Sequence, residues 1–190
     1  MVELNSLVCT LFLVLALSTA GVFQVAWLRT DFSKKFTQRV DFGLTLRGRP
    51  LFGENKTLRG FVVMVPGAGF SYWAWSRVLA DFSGLWDLSA WEFVVFGCIA
   101  GFGFMAGELP NSALKRQLDI APGEAPSQPW LRRFCLLLDR TDSLLGSLLA
   151  MSLYVHVPWT VWLGCLVLGP GIHAIFSFSL YRLGVKKRAA

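Results

Sequence analysis

Charge is scarce in this chain of 190 residues: Asp, Glu, Lys and Arg make up only 16% of it, where soluble domains run near a quarter. That shortage excludes a disordered segment, which needs few apolar and many charged residues, and argues against a large soluble catalytic domain. The composition is not that of a coiled coil either. Cysteine occurs four times, as Cys9, Cys98, Cys135 and Cys165, always in apolar surroundings and at irregular spacing. No disulfide framework or metal-ligand pair follows from that spacing, and the four read as small buried hydrophobes. Histidine occurs twice. His156 carries no assignable role, while His173, alone in an apolar stretch, reads first as a helix–helix hydrogen-bonding group, its part in a site left open. Internal repeats and low-complexity runs are absent.

Apolar residues are abundant, at 54% of the chain with a mean hydropathy of +0.53. A bilayer-spanning helix needs about 20 of them, so five spans would absorb most of the supply. Five stretches qualify, at about residues 6–28, 61–80, 91–106, 134–155 and 159–180. The expectation is an all-α integral membrane protein of five transmembrane helices, a single polytopic domain over 1–190 with loops at 29–60 and 107–133. The first stretch follows Met1-Val2-Glu3-Leu4-Asn5, which holds no Lys or Arg, and no small-residue cleavage site follows a short apolar core. It is read as a retained span.

The net charge of +6 is distributed unevenly. Residues 29–60 hold eight Lys or Arg, residues 107–133 hold Lys115, Arg116, Arg132 and Arg133, and the end of the chain holds Arg182, Lys186, Lys187 and Arg188. With five spans these segments share one side, and the excess of cytoplasmic Lys and Arg in membrane proteins places that side inside. The expectation is therefore an outer N-terminus, a cytoplasmic C-terminus and a multi-pass protein of the cell membrane. Its basic balance reflects topology, with no nucleic acid implied. Gly97-x-x-x-Gly101 and Gly103-x-x-x-Gly107 in the third span suit close helix packing. Pro66-Gly67 and Pro170-Gly171 interrupt spans two and five, as kinks or as the lining of a polar cavity.

The fourth span contains Asp139-Arg140-Thr141-Asp142-Ser143. Each such charge at a helix centre costs about 2.5–3.5 kcal/mol to insert. Asp139 and Asp142 are three apart, so they share a helix face, about one turn below the cytoplasmic boundary. Two carboxylates on one face suit Mg²⁺ completed by water and substrate phosphate; a purely structural cluster neutralised by Arg140 is the other reading. The preceding loop offers Glu108, Ser112, Lys115 and Arg116, and cations beside paired acids suit a polyphosphate. The first loop ends Gly53-Glu54-Asn55-Lys56-Thr57-Leu58-Arg59-Gly60. Its glycines, Lys56, Thr57 and Arg59 stand just before a span, where backbone N–H groups and cations can meet an anion. Two residues separate Gly53 from Lys56, so it is not a Walker A loop.

Together these runs resemble the phosphatidate cytidylyltransferase superfamily of CTP-transferring membrane enzymes. The small size, the Gly53–Gly60 loop and the ending His173…Tyr181-Arg182-Leu183-Gly184 look more specifically like its CDP-archaeol synthase branch. The resemblance covers about residues 45–187. It implies Asp139 and Asp142 as Mg²⁺ ligands and catalytic groups together with Lys115, and Lys56, Thr57, Arg59, Ser112, Arg116 and Glu108 as substrate-binding residues. Glu108 stands where members of the superfamily commonly have Asp. Residues 123–129 lack the Lys-Asp pair and His-Gly-Gly run of the larger phosphatidate enzymes, which favours the archaeol-type branch. The implied activity is a nucleotidyltransferase joining CTP to a membrane lipid phosphate with release of pyrophosphate. A lipid or polyprenol kinase of related architecture, and a small transport or assembly protein, are the alternatives. The sequence leaves open the lipid's chains, ether isoprenoid or ester acyl, and whether the protein is a homodimer.

Overall fold

A computed structural model describes residues 3–184, except the side chain of His173. That side chain and the tail cations Lys186, Lys187 and Arg188 lie outside the described residues. Five helices form: α1 (Ser6–Leu28), α2 (Leu58–Val78), α3 (Ala90–Gln117), α4 (Pro129–Ser152) and α5 (Trp159–Arg182). Local chemistry sets their starts. The Asn5 side chain accepts hydrogen bonds from the backbone N–H groups of Leu7 and Val8, Ser89 and Glu92 form a reciprocal capping box on α3, and Pro129 opens α4, where its missing N–H costs nothing.

Two boundaries differ from expectation in a way that matters for the site. Hydropathy places the end of the third span near 106, but the α3 backbone runs on to Gln117 through Pro110. Glu108, Ser112, Lys115 and Arg116 therefore sit on the last three turns of a helix, not in a loop. Likewise α4 begins at Pro129, five residues before the expected 134. Asp139 thus lies ten residues into the helix, about 15 Å along it. Among the described residues α1, α3 and α5 are long and apolar enough to cross a membrane. The shorter apolar windows of α2 and α4 reflect Pro66, Gly67 and Ser71 in the first and Arg132, Arg133, Asp139, Arg140 and Asp142 in the second.

Neighbours in sequence are neighbours in space. α1 packs on α2, α2 on α3 and α3 on α4, while α5 leans against α1 and α4. Asn5 N–H donates to the Gly84 carbonyl at 2.9 Å, and the Trp86 indole donates to the His156 carbonyl at 2.9 Å. Those contacts gather the start of α1 and the α2–α3 and α4–α5 connections at one end of the bundle. That end holds an aromatic core of Phe12, Tyr72, Trp86, Phe93 and Phe96. Its edge-to-face pairs, such as Tyr72 on Phe96 at 5.3 Å, each add about 0.5–1.5 kcal/mol beyond burial. The other end carries the long first loop, with a small hairpin of β1 (Thr45–Leu46) and β2 (Arg49–Pro50), and the α3–α4 connection.

The glycine stripes of α3 do what their spacing predicts. An added Cβ on Gly101 would strike the Met64 carbonyl oxygen and Ala68 of α2, and one on Gly107 would strike the Asp142 carbonyl and Gly146 of α4. Backbone thus meets backbone where α3 and α4 carry their polar residues.

Candidate active site

Three segments converge at the loop end of the bundle. The first is the stretch before α2, shaped by Asp41, which is only 3% exposed. Its carboxylate accepts from the N–H groups of Gly43 at 3.0 Å, Phe52 at 3.0 Å and Gly53 at 3.3 Å. Burial alone would raise the Asp41 pKa, but those three donors, with Arg39 nearby, hold it below the ordinary carboxylate range. Gly53, with φ of +95°, is a residue for which a side chain would be strained. An ideal Cβ there would also lie 3.3 Å from the Arg116 Nη1 atom.

The second and third segments are the last turns of α3 and the middle of α4. Lys56 from the first loop pairs with Glu108, whose other oxygen accepts from the Ser143 hydroxyl at 3.0 Å. Burial works against the charge on Lys56. Glu108 beside it, with Asp142 and Asp139 further away, outweighs burial and holds its pKa above the ordinary lysine value. Lys115 pairs with Asp139. The Asn111 amide nitrogen donates to Asp139 Oδ1 and to Asp142 Oδ2, at 2.7 Å each. The two carboxylates therefore aim at one point, as the three-residue spacing predicts. Lys115 supplies the cation paired with Asp139, and among the described residues Arg140 forms no ion pair.

Arg116 and Arg59 differ sharply. Arg116 is 7% exposed, and its Nε and Nη1 have no hydrogen-bond partner among the described residues. Leaving buried donors unmade costs about 1–3 kcal/mol. Arg59 also lines the cavity described next, and it is tied to the scaffold as well: it donates to the Leu28 carbonyl and, at 2.7 Å, to the Ser33 hydroxyl. Its own carbonyl accepts from the Trp27 indole at 3.0 Å. Thr57 precedes α2 in extended backbone with no capping hydrogen bond from its side chain, and Ser112 is buried; both line the cavity described next.

A cavity of about 1210 Å³ joins these groups. Its polar wall includes Lys56, Glu108, Asn111, Lys115, Arg116 and the two aspartates, and its apolar wall includes Leu13 and Leu17 of α1, Leu144 of α4 and Ile172 and Phe176 of α5. Among the described residues no group of three or more His, Cys, Asp and Glu could hold a metal. The available donor set is the convergent Asp139–Asp142 pair. Sequence reasoning overlooked Asn111 and Asp41. Asn111 lies three residues after Glu108 and four before Lys115, a helical face that becomes visible only once α3 is carried past Pro110.

Comparison with known proteins gives a consistent result. Residues 4–189 match the CarS-like family model, described as CDP-archaeol synthase. Among curated relatives, the chain is 30% identical over 161 residues to the CDP-archaeol synthase of Archaeoglobus fulgidus, covering 78% of this chain and 82% of that one. It is 30% identical over 158 residues to that of Pyrobaculum aerophilum, covering 80% and 82%. It is 29% identical over 149 residues to that of Thermofilum pendens, where the match spans 77% of this chain and 63% of the relative's length. No solved structure matches the chain.

Proposed function

The chain belongs to the CDP-archaeol synthase family, and from that premise we propose that it is a CTP-dependent cytidylyltransferase acting on an archaeol-type or phosphatidate-like lipid phosphate. A phosphate oxygen of the lipid attacks the α-phosphorus of CTP. The bond from that phosphorus to the oxygen bridging to the β-phosphate breaks, pyrophosphate leaves, and a CDP-lipid remains. The nucleophile is already an anion, so the chemistry asks for no strong base. It asks for positive charge where two anions must meet.

One observation carries this reading: the buried Arg116 guanidinium, with two unpartnered nitrogens, lines the same cavity as the two convergent aspartates. Buried guanidinium nitrogens without hydrogen-bond partners are costly unless a ligand completes them, and a triphosphate does so. Lys56 and Lys115, now held by Glu108 and Asp139, stand within the same cavity to take further phosphate charge. Asp139 and Asp142 fit a divalent cation, since both already reach a single hydrogen-bond donor. They would hold Mg²⁺, which when bound offsets phosphate charge and favours departure of pyrophosphate. The apolar wall between α1, α4 and α5 suits hydrocarbon chains, with the lipid phosphate at the polar end.

The same reading places the protein as one polytopic domain in the cytoplasmic membrane, with all five helices crossing and the basic end, hence the site, facing the cytoplasm. The test is incubation of the purified protein with Mg²⁺, labelled CTP and both lipid phosphates in parallel. CDP-lipid and pyrophosphate in equal amounts are expected. Release of CDP with a lipid diphosphate would show a kinase, and no CTP turnover with either lipid would overturn the assignment.

A further inference from the structure

The cavity contains one more buried polar atom that nothing so far explains. Asn111 is 7% exposed. Its amide nitrogen bridges Asp139 and Asp142, yet its Oδ1 is fully buried with no hydrogen-bond partner among the described residues. An amide carries an acceptor and a donor end of nearly equal shape, exchanged by a half-turn about its last side-chain bond. Between two carboxylates alone, the donor end is favoured, as observed. With a cation there, the acceptor end is favoured, because hard divalent ions accept amide oxygens beside carboxylates. We propose that Asn111 is the third protein ligand of the Asp139–Asp142 metal site, its amide turning over to present Oδ1 when the cation binds. This rests on the metal reading of the previous subsection.

Two further features support it. The amide comes from α3 while the carboxylates come from α4, so the site spans the helix pair that Gly107 and Gly146 bring into backbone contact. The ligand position is thereby fixed from both sides. A neutral third ligand also leaves the site with two negative charges instead of three, which keeps it attractive to a metal that must in turn attract a triphosphate. The unpartnered oxygen then ceases to be a cost that the folded chain bears for no return and becomes a group waiting for its ion.

The test needs no turnover. Mn²⁺ is titrated into the purified full-length protein in detergent, without CTP or lipid, and free Mn²⁺ is followed by its six-line electron paramagnetic resonance signal. Melting curves confirm that each variant is folded. The wild type is expected to bind, D142N to lose binding, N111A to bind about tenfold or more weakly, and N111D to bind at least as well as wild type. N111L, which keeps the branching of asparagine without its polar atoms, replaces N111A should the latter fail to fold. Wild-type affinity in N111A or N111L overturns the proposal, and so does loss of binding in N111D, since the amide would then only space the two acids. If the wild type itself takes up no Mn²⁺, the metal reading fails and this inference fails with it.

Discussion

The two ends of the helix bundle follow opposite rules. At the aromatic end, polar groups find partners: the Trp86 indole has the His156 carbonyl, the Tyr72 hydroxyl lies 3.3 Å from the Met151 sulfur, and rings fill the space between helices. At the loop end, every buried side-chain atom left without a partner among the described residues belongs to Asn111, Arg116 or Gln117. They occupy the last two turns of α3. One end is arranged for stability. The other retains unmade hydrogen bonds, and a folded chain keeps such local conflicts where a ligand resolves them. The two arginines, which both line the cavity, repeat the lesson on a smaller scale: Arg59 donates to scaffold atoms, while Arg116 keeps two unpartnered nitrogens.

Five substitutions would break or sharpen that contrast. The largest effect is expected from D142N, which removes one of the convergent carboxylates: CDP-lipid formation should fall at least about 100-fold with little change in melting temperature, measured by pyrophosphate release and thermal unfolding in detergent. Retained activity would remove Asp142 from the chemistry. Next, F96A empties a fully buried position at the aromatic end. It should cost about 3–5 kcal/mol of stability while leaving the KM for CTP unchanged below the melting point. A raised KM would show that the two ends are not separate.

A matched arginine pair gives a subtler effect with opposite signs. R116M removes an unpartnered buried charge, so the melting temperature should rise while the KM for CTP increases about tenfold or more. R59M breaks bonds to Leu28 and Ser33, so the melting temperature should fall with a smaller change in KM. Parallel behaviour of the two would erase the distinction. The smallest effect is that of Asp41. Because its folded pKa lies below the ordinary value near about 3.9, its stabilisation is present above that value and is lost as pH falls through the lower folded pKa. D41N should therefore melt a few degrees lower than wild type at neutral pH, with the gap closing as a melting series moves into strong acid.

Much of this architecture is legible from residue order, but unevenly. The α1 boundaries at 6 and 28 follow directly, because Asn5 caps and a largely apolar, uncharged run continues to Leu28. The packing of α3 follows from its paired glycine spacings, and the facing of Asp139 and Asp142 from a separation of three. The end of α3 does not, since hydropathy reports where a helix leaves apolar surroundings, not where its hydrogen bonds stop, and Pro110 mimics a terminator. That one misplacement hid Asn111. Arg59 shows a different limit. A cation beside glycines before a helix looks like an anion seat, and only the packing of α1 against α2 shows that its Nε and Nη2 already donate to a hydroxyl and a carbonyl. Asp41 left no motif at all, because its partners are backbone N–H groups, which carry no side-chain signature.

The stitching of Arg59 to Leu28 and Trp27 has a consequence for how this protein tolerates change in length. It ties the exit of α1 to the start of α2, so the segment between them is a closed ring whose far point is the exposed Arg47-Gly48 turn of the hairpin. Enlarging such a ring costs only about 0.6 kcal/mol for each doubling of its length. The turn can therefore accept an inserted epitope or fluorescent peptide while Lys56, three residues before the knot, keeps its register against Glu108.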